Sequence, residues 1–255
     1  MPYRRLIGVV LLGCLFVTTS RAAEPPKAAV SSPRQQPAYE PAPKVREGKV
    51  DERFLTAHAS FLERIKAGPI GVLFVGDSIT AGWNRNREPF QKSFGDYQPA
   101  NFGISGDRTQ HILWRFDNGE LEISPSPKVV VLMIGANNMR GDTAADISKG
   151  IEAIVDRVRT KHPKTKVLLL GTLPMGVDPK DPLVATLRQK VTEINRQSKE
   201  FADGTNVVFL DFGDKMLNPD GTSSSAMRPD GVHLEARGYE IWAESIGPTV
   251  ATMMK

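Results

Sequence analysis

The chain has 255 residues, 40% of them hydrophobic and 24% charged, an ordinary globular composition that can bury one sizeable core. The formal net charge of +4 does not mark a nucleic-acid binder: residues 1–22 carry three of the 33 basic residues and none of the 29 acidic ones, so 30 face 29 in the remainder, where no basic block stands. The single cysteine, Cys14, excludes disulfides and leaves no thiol chemistry in the body of the chain.

From the amino terminus, Arg4 and Arg5 form a basic lead, residues 6–17 are apolar, and Ser20-Arg21-Ala22 offers the small residues of a cleavage site. The apolar stretch is shorter than the roughly 20 residues that span a bilayer as a helix. Residues 1–22 are therefore expected to be a signal peptide, and the protein to be exported, periplasmic or extracellular, with no stable membrane span in its mature form. Leu11-Leu12-Gly13-Cys14 resembles a lipobox and offers a lipid anchor at Cys14 as an alternative, against which the apolar run continues through Val17. Residues 23–49 hold six prolines, Pro25 to Pro43, among Ala, Ser and Gln. Such a segment cannot bury enough surface to offset its ordering entropy and reads as a Pro/Ala-rich flexible linker. The folded domain is placed at 50–255.

A helix is expected over 53–66. Short apolar runs at 70–75, 129–134, 167–170 and 207–210 lack polar alternation, as parallel strands covered on both faces do. Between them, Ile147, Ile151, Ile154, Val155 and Val158 recur at helical spacing, with Thr143 and Asp146 resembling a capping box at that helix's start. Leu187, Val191, Ile194, Ser198 and Phe201 form a second stripe, and a helix over 235–253 closes the chain. Alternating strands and helices give an α/β fold, a three-layer α/β/α sandwich around a mostly parallel sheet. Ligands bind such sheets at the carboxyl ends of strands. Gly76-Asp77-Ser78, Gly103, Gly135-Ala136-Asn137 and Asp211 all fall at or just after such ends.

Ser78 needs a base to become a nucleophile, and four histidines could supply it. His58 lies in the first helix, where a solvated or partly packed residue is expected. His111 sits among Ile112, Leu113 and Trp114, a packing position, and His162 ends a helix, where a cation complements the dipole. His233 differs, because it lies in the polar loop "RPDGVHLEARGY" three residues after Asp230. That spacing lets the carboxylate fold back onto one ring nitrogen and leave the other for a hydroxyl; taken alone, a turn or helix-capping Asp beside an incidental His is the better reading. Acyl transfer also needs donors for the developing oxyanion. The backbone N–H groups of Ser78 and Gly103 and the amide of Asn137 are candidates, although Gly103 also fits a tight turn needing positive φ and Asn137 an Asx turn.

Gly76-Asp77-Ser78, Gly103, Gly135-x-Asn137 and Asp230-x-x-His233, in this order, resemble the four sequence blocks of the SGNH (GDSL) hydrolase family. Within it, "NFGISGDRTQHILWRFDNGEL", "VVVLMIGANNM" and "LRQKVTEIN" look like the catalytic subunits of platelet-activating factor acetylhydrolase. The resemblance covers roughly residues 70 to 245. It implies a flavodoxin-like sandwich with a central parallel sheet of about five strands and makes 50–255 an SGNH hydrolase domain. It further implies Ser78 as nucleophile, His233 as general base and acid, Asp230 as its orienter, and Gly103 with Asn137 completing an oxyanion hole with Ser78. Many members carry Asp after the third-block Asn, where this chain has Asn138. The acetylhydrolase subunits are intracellular and pair as dimers, so a homodimer is an expectation from the resemblance, and export is a departure from it.

No Gly-x-Ser-x-Gly surrounds Ser78, no phosphate-binding glycine loop follows Val75, and no two histidines stand at metal-ligand spacing. No cofactor, metal or nucleic-acid partner is expected. The expected activity is that of an exported serine esterase releasing small acyl groups, acetyl first, from a small-molecule or polysaccharide ester such as a carbohydrate O-acetyl group, with activity falling below a group titrating in the histidine range. A lysophospholipase or acetyl-phospholipid hydrolase is the alternative within the same chemistry. A non-catalytic carbohydrate-binding module on the same fold is the alternative outside it, and its signature, a broken triad, is absent.

Overall fold

A computed structural model describes residues 36–255. The expected signal peptide, the lipobox at Cys14 and the first part of the linker lie outside the described residues. The five strands β3 (Val72–Gly76), β4 (Pro99–Gly103), β5 (Val129–Met133), β6 (Lys166–Leu170) and β7 (Val207–Leu210) form one parallel sheet in the order β4-β3-β5-β6-β7. They follow a two-residue hairpin, β1 (Val45–Arg46) and β2 (Lys49–Val50), and α1 (Glu52–Lys66). Three of the four expected strands shift by one or two residues at an end, and β7 matches. The fifth, β4, has no apolar run. It is an edge strand with alternating burial, and an edge position tolerates its Pro99.

Side chains alternate between two cores. Leu73 and Val75 of β3 and Val130 and Leu132 of β5 face one, shared with α4 (Thr109–Arg115), α5 (Ala144–Lys161) and α6 (Pro182–Glu200). Val72, Phe74, Val129 and Val131 face the other, with Trp83, Phe90 and Phe94 of the α2 (Ser78–Ala81) to α3 (Arg87–Phe94) region and Trp242, Ile246 and Val250 of α7 (Ala236–Met253). These strand residues are at most 1% exposed, and burying a side chain of this size is worth about 1.5–3 kcal/mol. A polar substitution in β3 or β5 would therefore weaken a helix layer as well as the sheet. Among the described residues no helix is long and apolar enough to cross a membrane.

Thr143 caps α5, its hydroxyl accepting the Asp146 N–H at 3.1 Å, but the Asp146 carboxylate takes the Thr143 hydroxyl at 2.7 Å instead of reaching back to the backbone. One boundary needs correction: the linker's last part, 36–49, is packed against the domain. Ala38 is fully buried, its carbonyl accepts the Thr109 hydroxyl at 2.6 Å, and the Ala42 N–H donates to Gln110 O at 3.1 Å. Small residues between prolines suit such a path because they let an extended backbone lie close to a neighbouring surface.

Candidate active site

The carboxyl ends of β3, β4 and β5 supply one side of the site. β3 ends at Gly76, and Asp77 turns the chain into α2 by accepting the Ile79 N–H at 2.9 Å. This makes Ser78 the first helical residue, where a backbone N–H has no partner within the helix. At the end of β4, Gly103 is a glycine for a reason other than the positive φ expected of a turn: a Cβ there would lie 2.3 Å from Ala81 N, so the strand end packs directly on α2.

The loop before α7 supplies the other side. Gly231 holds a φ of +65°, and a Cβ would approach Gly176 C to 2.8 Å, which presses the loop onto the segment after β6. Its backbone closes through Arg228 N–H to His233 O at 2.8 Å. His233 Nε2 then lies 2.9 Å from the Ser78 hydroxyl, and His233 Nδ1 lies 2.8 Å from Asp230 Oδ2. Asp230 Oδ1 accepts the N–H groups of Val232 and His233, both at 2.9 Å. Partial burial raises the Asp230 pKa, but these backbone N–H groups and the ring outweigh it and hold the carboxyl down at about 2. An ionised Asp230 accepts the hydrogen bond of Nδ1–H and fixes that tautomer, so Nε2 keeps its lone pair for the Ser78 O–H.

Two of the three oxyanion candidates, the Gly103 N–H and the Asn137 amide, already have partners. Asn137 Nδ2 donates to Asp77 Oδ2 at 3.2 Å and to Asp107 O at 2.9 Å, so it neighbours Ser78 through Asp77. The Gly103 N–H donates to Asn101 Oδ1 at 3.0 Å, and Asn101 Nδ2 donates to Thr80 O at 3.0 Å. A substrate oxygen would share or displace these contacts, and the 3.2 Å bond to Asp77 is the longest of them.

The sequence model of the GDSL-like lipase/acylhydrolase family matches residues 74–241. The chain belongs to that family. It is a hydrolase, and the match takes in every block just described. The alpha2 subunit of platelet-activating factor acetylhydrolase IB from Rattus norvegicus is 38% identical over 190 residues, 74% of this chain and 80% of that protein. The alpha1 subunit from Homo sapiens is 36% identical over 209 residues, 82% of this chain and 87% of that protein. A GDSL-like lipase from Bacteroides thetaiotaomicron shares the fold at a TM-score of 0.63 and 24% identity, covering 76% of this chain and 97% of that one.

In this GDSL hydrolase the other histidines serve the fold. His58 is a correction: it is 7% exposed and its Nδ1 lies 2.7 Å from Glu120 Oε1 in a buried pair. His162 bridges Ser126 at 2.7 Å and Leu121 O at 2.9 Å. The Arg108 N–H donates to His111 Nδ1 at 3.1 Å; that nitrogen is an acceptor, so its 3.7 Å approach to Asp107 is not an ion pair. Asn138, the departure from the family pattern, is buried and structural, accepting from Thr109 N at 3.1 Å and donating to Gln110 and Asp142. Spacing does not reveal Asn101, Asp107 or Tyr239, whose hydroxyl donates to Ile79 O at 2.8 Å. Each is one polar residue in an apolar or loop context, and only its partner across the fold gives it a role.

Proposed function

We propose that the protein is a serine esterase that removes short acyl groups, acetyl above all, through an acyl-enzyme. The unbroken chain from the Ser78 hydroxyl through the His233 ring to the Asp230 carboxylate carries this reading. Ser78 attacks the ester carbonyl while Nε2 takes its proton. The imidazolium, held by Asp230, returns that proton to the leaving alcohol, and water activated by the same nitrogen then releases the acid. The developing oxyanion is received by the Ser78 and Gly103 N–H groups and the Asn137 amide.

The acyl preference rests on a small cavity of about 10 Å³ beside these residues, room for one water-sized group. Ile79, Ala136 and Val232, chain neighbours of Ser78, Asn137 and His233, line it together with Leu173 and Met175. A space of this size has no room for a long acyl chain. Export, argued from residues 1–22, favours an extracellular acetylated carbohydrate as the ester, with the sugar hydroxyl as the leaving alcohol. The similarity to platelet-activating factor acetylhydrolase subunits favours an acetyl-phospholipid as the second reading. The mature protein should hydrolyse p-nitrophenyl acetate faster than the butyrate or octanoate ester, and acetylated oligosaccharides and acetyl-phospholipids assayed side by side decide the leaving alcohol. Ser78→Ala should lower turnover at least about 10³-fold, and undiminished activity in that variant would remove Ser78 from the mechanism.

A further inference from the structure

Ahead of α1, the chain from Ala38 to Lys44 runs along the loop that follows β4 and the start of α4. Besides the Ala38 and Ala42 contacts, Lys44 Nζ donates to Ser105 O and lies 3.5 Å from Asp107 Oδ1. The same short stretch, 105–110, holds the third block from its opposite side. Asp107 O accepts the Asn137 amide at 2.9 Å, Thr109 N–H donates to Asn138 Oδ1 at 3.1 Å, and Gln110 Oε1 accepts the Asn138 amide at 3.0 Å.

Asp107 is fully buried and its surroundings are charged. Arg115 Nε lies 3.1 Å from Oδ2, too far off axis for a good hydrogen bond. Arg115 is shared with Glu120, which its Nη1 reaches at 2.7 Å. His111 faces Oδ1 with an acceptor nitrogen. Lys44 is therefore the donor that reaches Oδ1, and it comes from outside the α/β sandwich on a side chain that is 15% exposed.

We propose that Lys44 is a positioning residue for the reaction, holding Asp107 so that its carbonyl keeps the Asn137 amide in place at the oxyanion site. The proposal rests on the esterase reading above. Removing one partner of a buried pair leaves the other charge poorly compensated, and the loop carrying it then relaxes. Small displacements of a group that positions the reacting centre are costly, about 10²-fold for about 1 Å. Burial pushes Asp107 up to about 6, Arg115 and Lys44 oppose that rise, and Glu120 adds to it. Without Lys44 the carboxyl takes up a proton at higher pH.

The test compares the full chain with Lys44→Met, Lys44→Arg and Ser78→Ala on p-nitrophenyl acetate, with thermal melts alongside. Lys44→Met should lose about tenfold in kcat with KM changed less than about twofold. The acidic limb of its kcat profile should move to higher pH, and Lys44→Arg should restore both. Lys44→Gln replaces Lys44→Met if the latter does not fold. Unchanged kcat and limb in the charge-free variant, with Ser78→Ala inactive, overturns the role of Lys44 and leaves the esterase reading standing; an equal loss in Lys44→Arg overturns it too. An active Ser78→Ala overturns both.

Discussion

Asp77 precedes Ser78 by one residue and is buried against the reacting centre. Burial raises its carboxyl from 3.8 to about 6, opposed by the Ile79 N–H and the charge of His233. A folded-state value above the ordinary one means that the protonated form favours folding. That contribution is complete below about pH 4 and is lost as the pH rises through about 6. Asp77→Asn copies the uncharged form, so relative to the native protein its melting temperature should compare better at pH 7.5 than at pH 4. The same change replaces one of the two accepting oxygens: with the remaining oxygen on the Ile79 N–H, the NH₂ faces the Asn137 amide, which frees that amide to turn away. We expect kcat to fall about tenfold with little change in KM. A variant with native kcat would show that Asn137 is oriented without Asp77.

At the scale of elements, the site depends on α7 as much as on α2. The Tyr239 hydroxyl donates to Ile79 O at 2.8 Å across 160 residues, and its ring stands 4.8 Å from that of Trp83. Burial raises the Tyr239 pKa above the ordinary value, so the group remains an O–H donor. Tyr239→Phe keeps the packing and deletes one hydrogen bond, a loss of about 1 kcal/mol, since Ile79 O still accepts the Gly82 N–H. For a domain of this size that amounts to a melting temperature about 2–4 °C lower. Calorimetry decides it, and an unchanged melt would mean that α7 holds α2 by aromatic packing alone.

For the whole molecule, the burial of His111 ties stability to acid pH. His111 is pushed down to about 3, first by burial and then by Lys44, Arg108 and Arg115. Between about pH 6.5 and 3 the unfolded chain binds a proton that the folded chain refuses, so stability falls on acidification. His111→Gln keeps an acceptor for the Arg108 N–H and removes the titration. From pH 7 to pH 4 the native protein should therefore lose on the order of 1–3 kcal/mol more than the variant, and parallel unfolding curves would exclude His111 as the acid-sensitive group. The chain's local patterns were sufficient for the sandwich, for four of its five strands and for the order of the blocks that hold Ser78, Gly103, Asn137, Asp230 and His233, because apolar runs, caps and motif spacing are properties of neighbouring residues. They were insufficient for β4, whose Pro-Ala-Asn-Phe-Gly becomes a strand by pairing with β3, and for the docking of 36–49, where small residues and prolines read as linker until a surface lies beside them. Tertiary structure alone decided the meeting of Ser78 and His233, 155 residues apart, and the buried chain from Lys44 through Asp107 and Arg115 to Glu120 and His58. A charge becomes a partner only when the fold removes water around it and sets its opposite within reach, and neither condition is written in the spacing of residues along the chain.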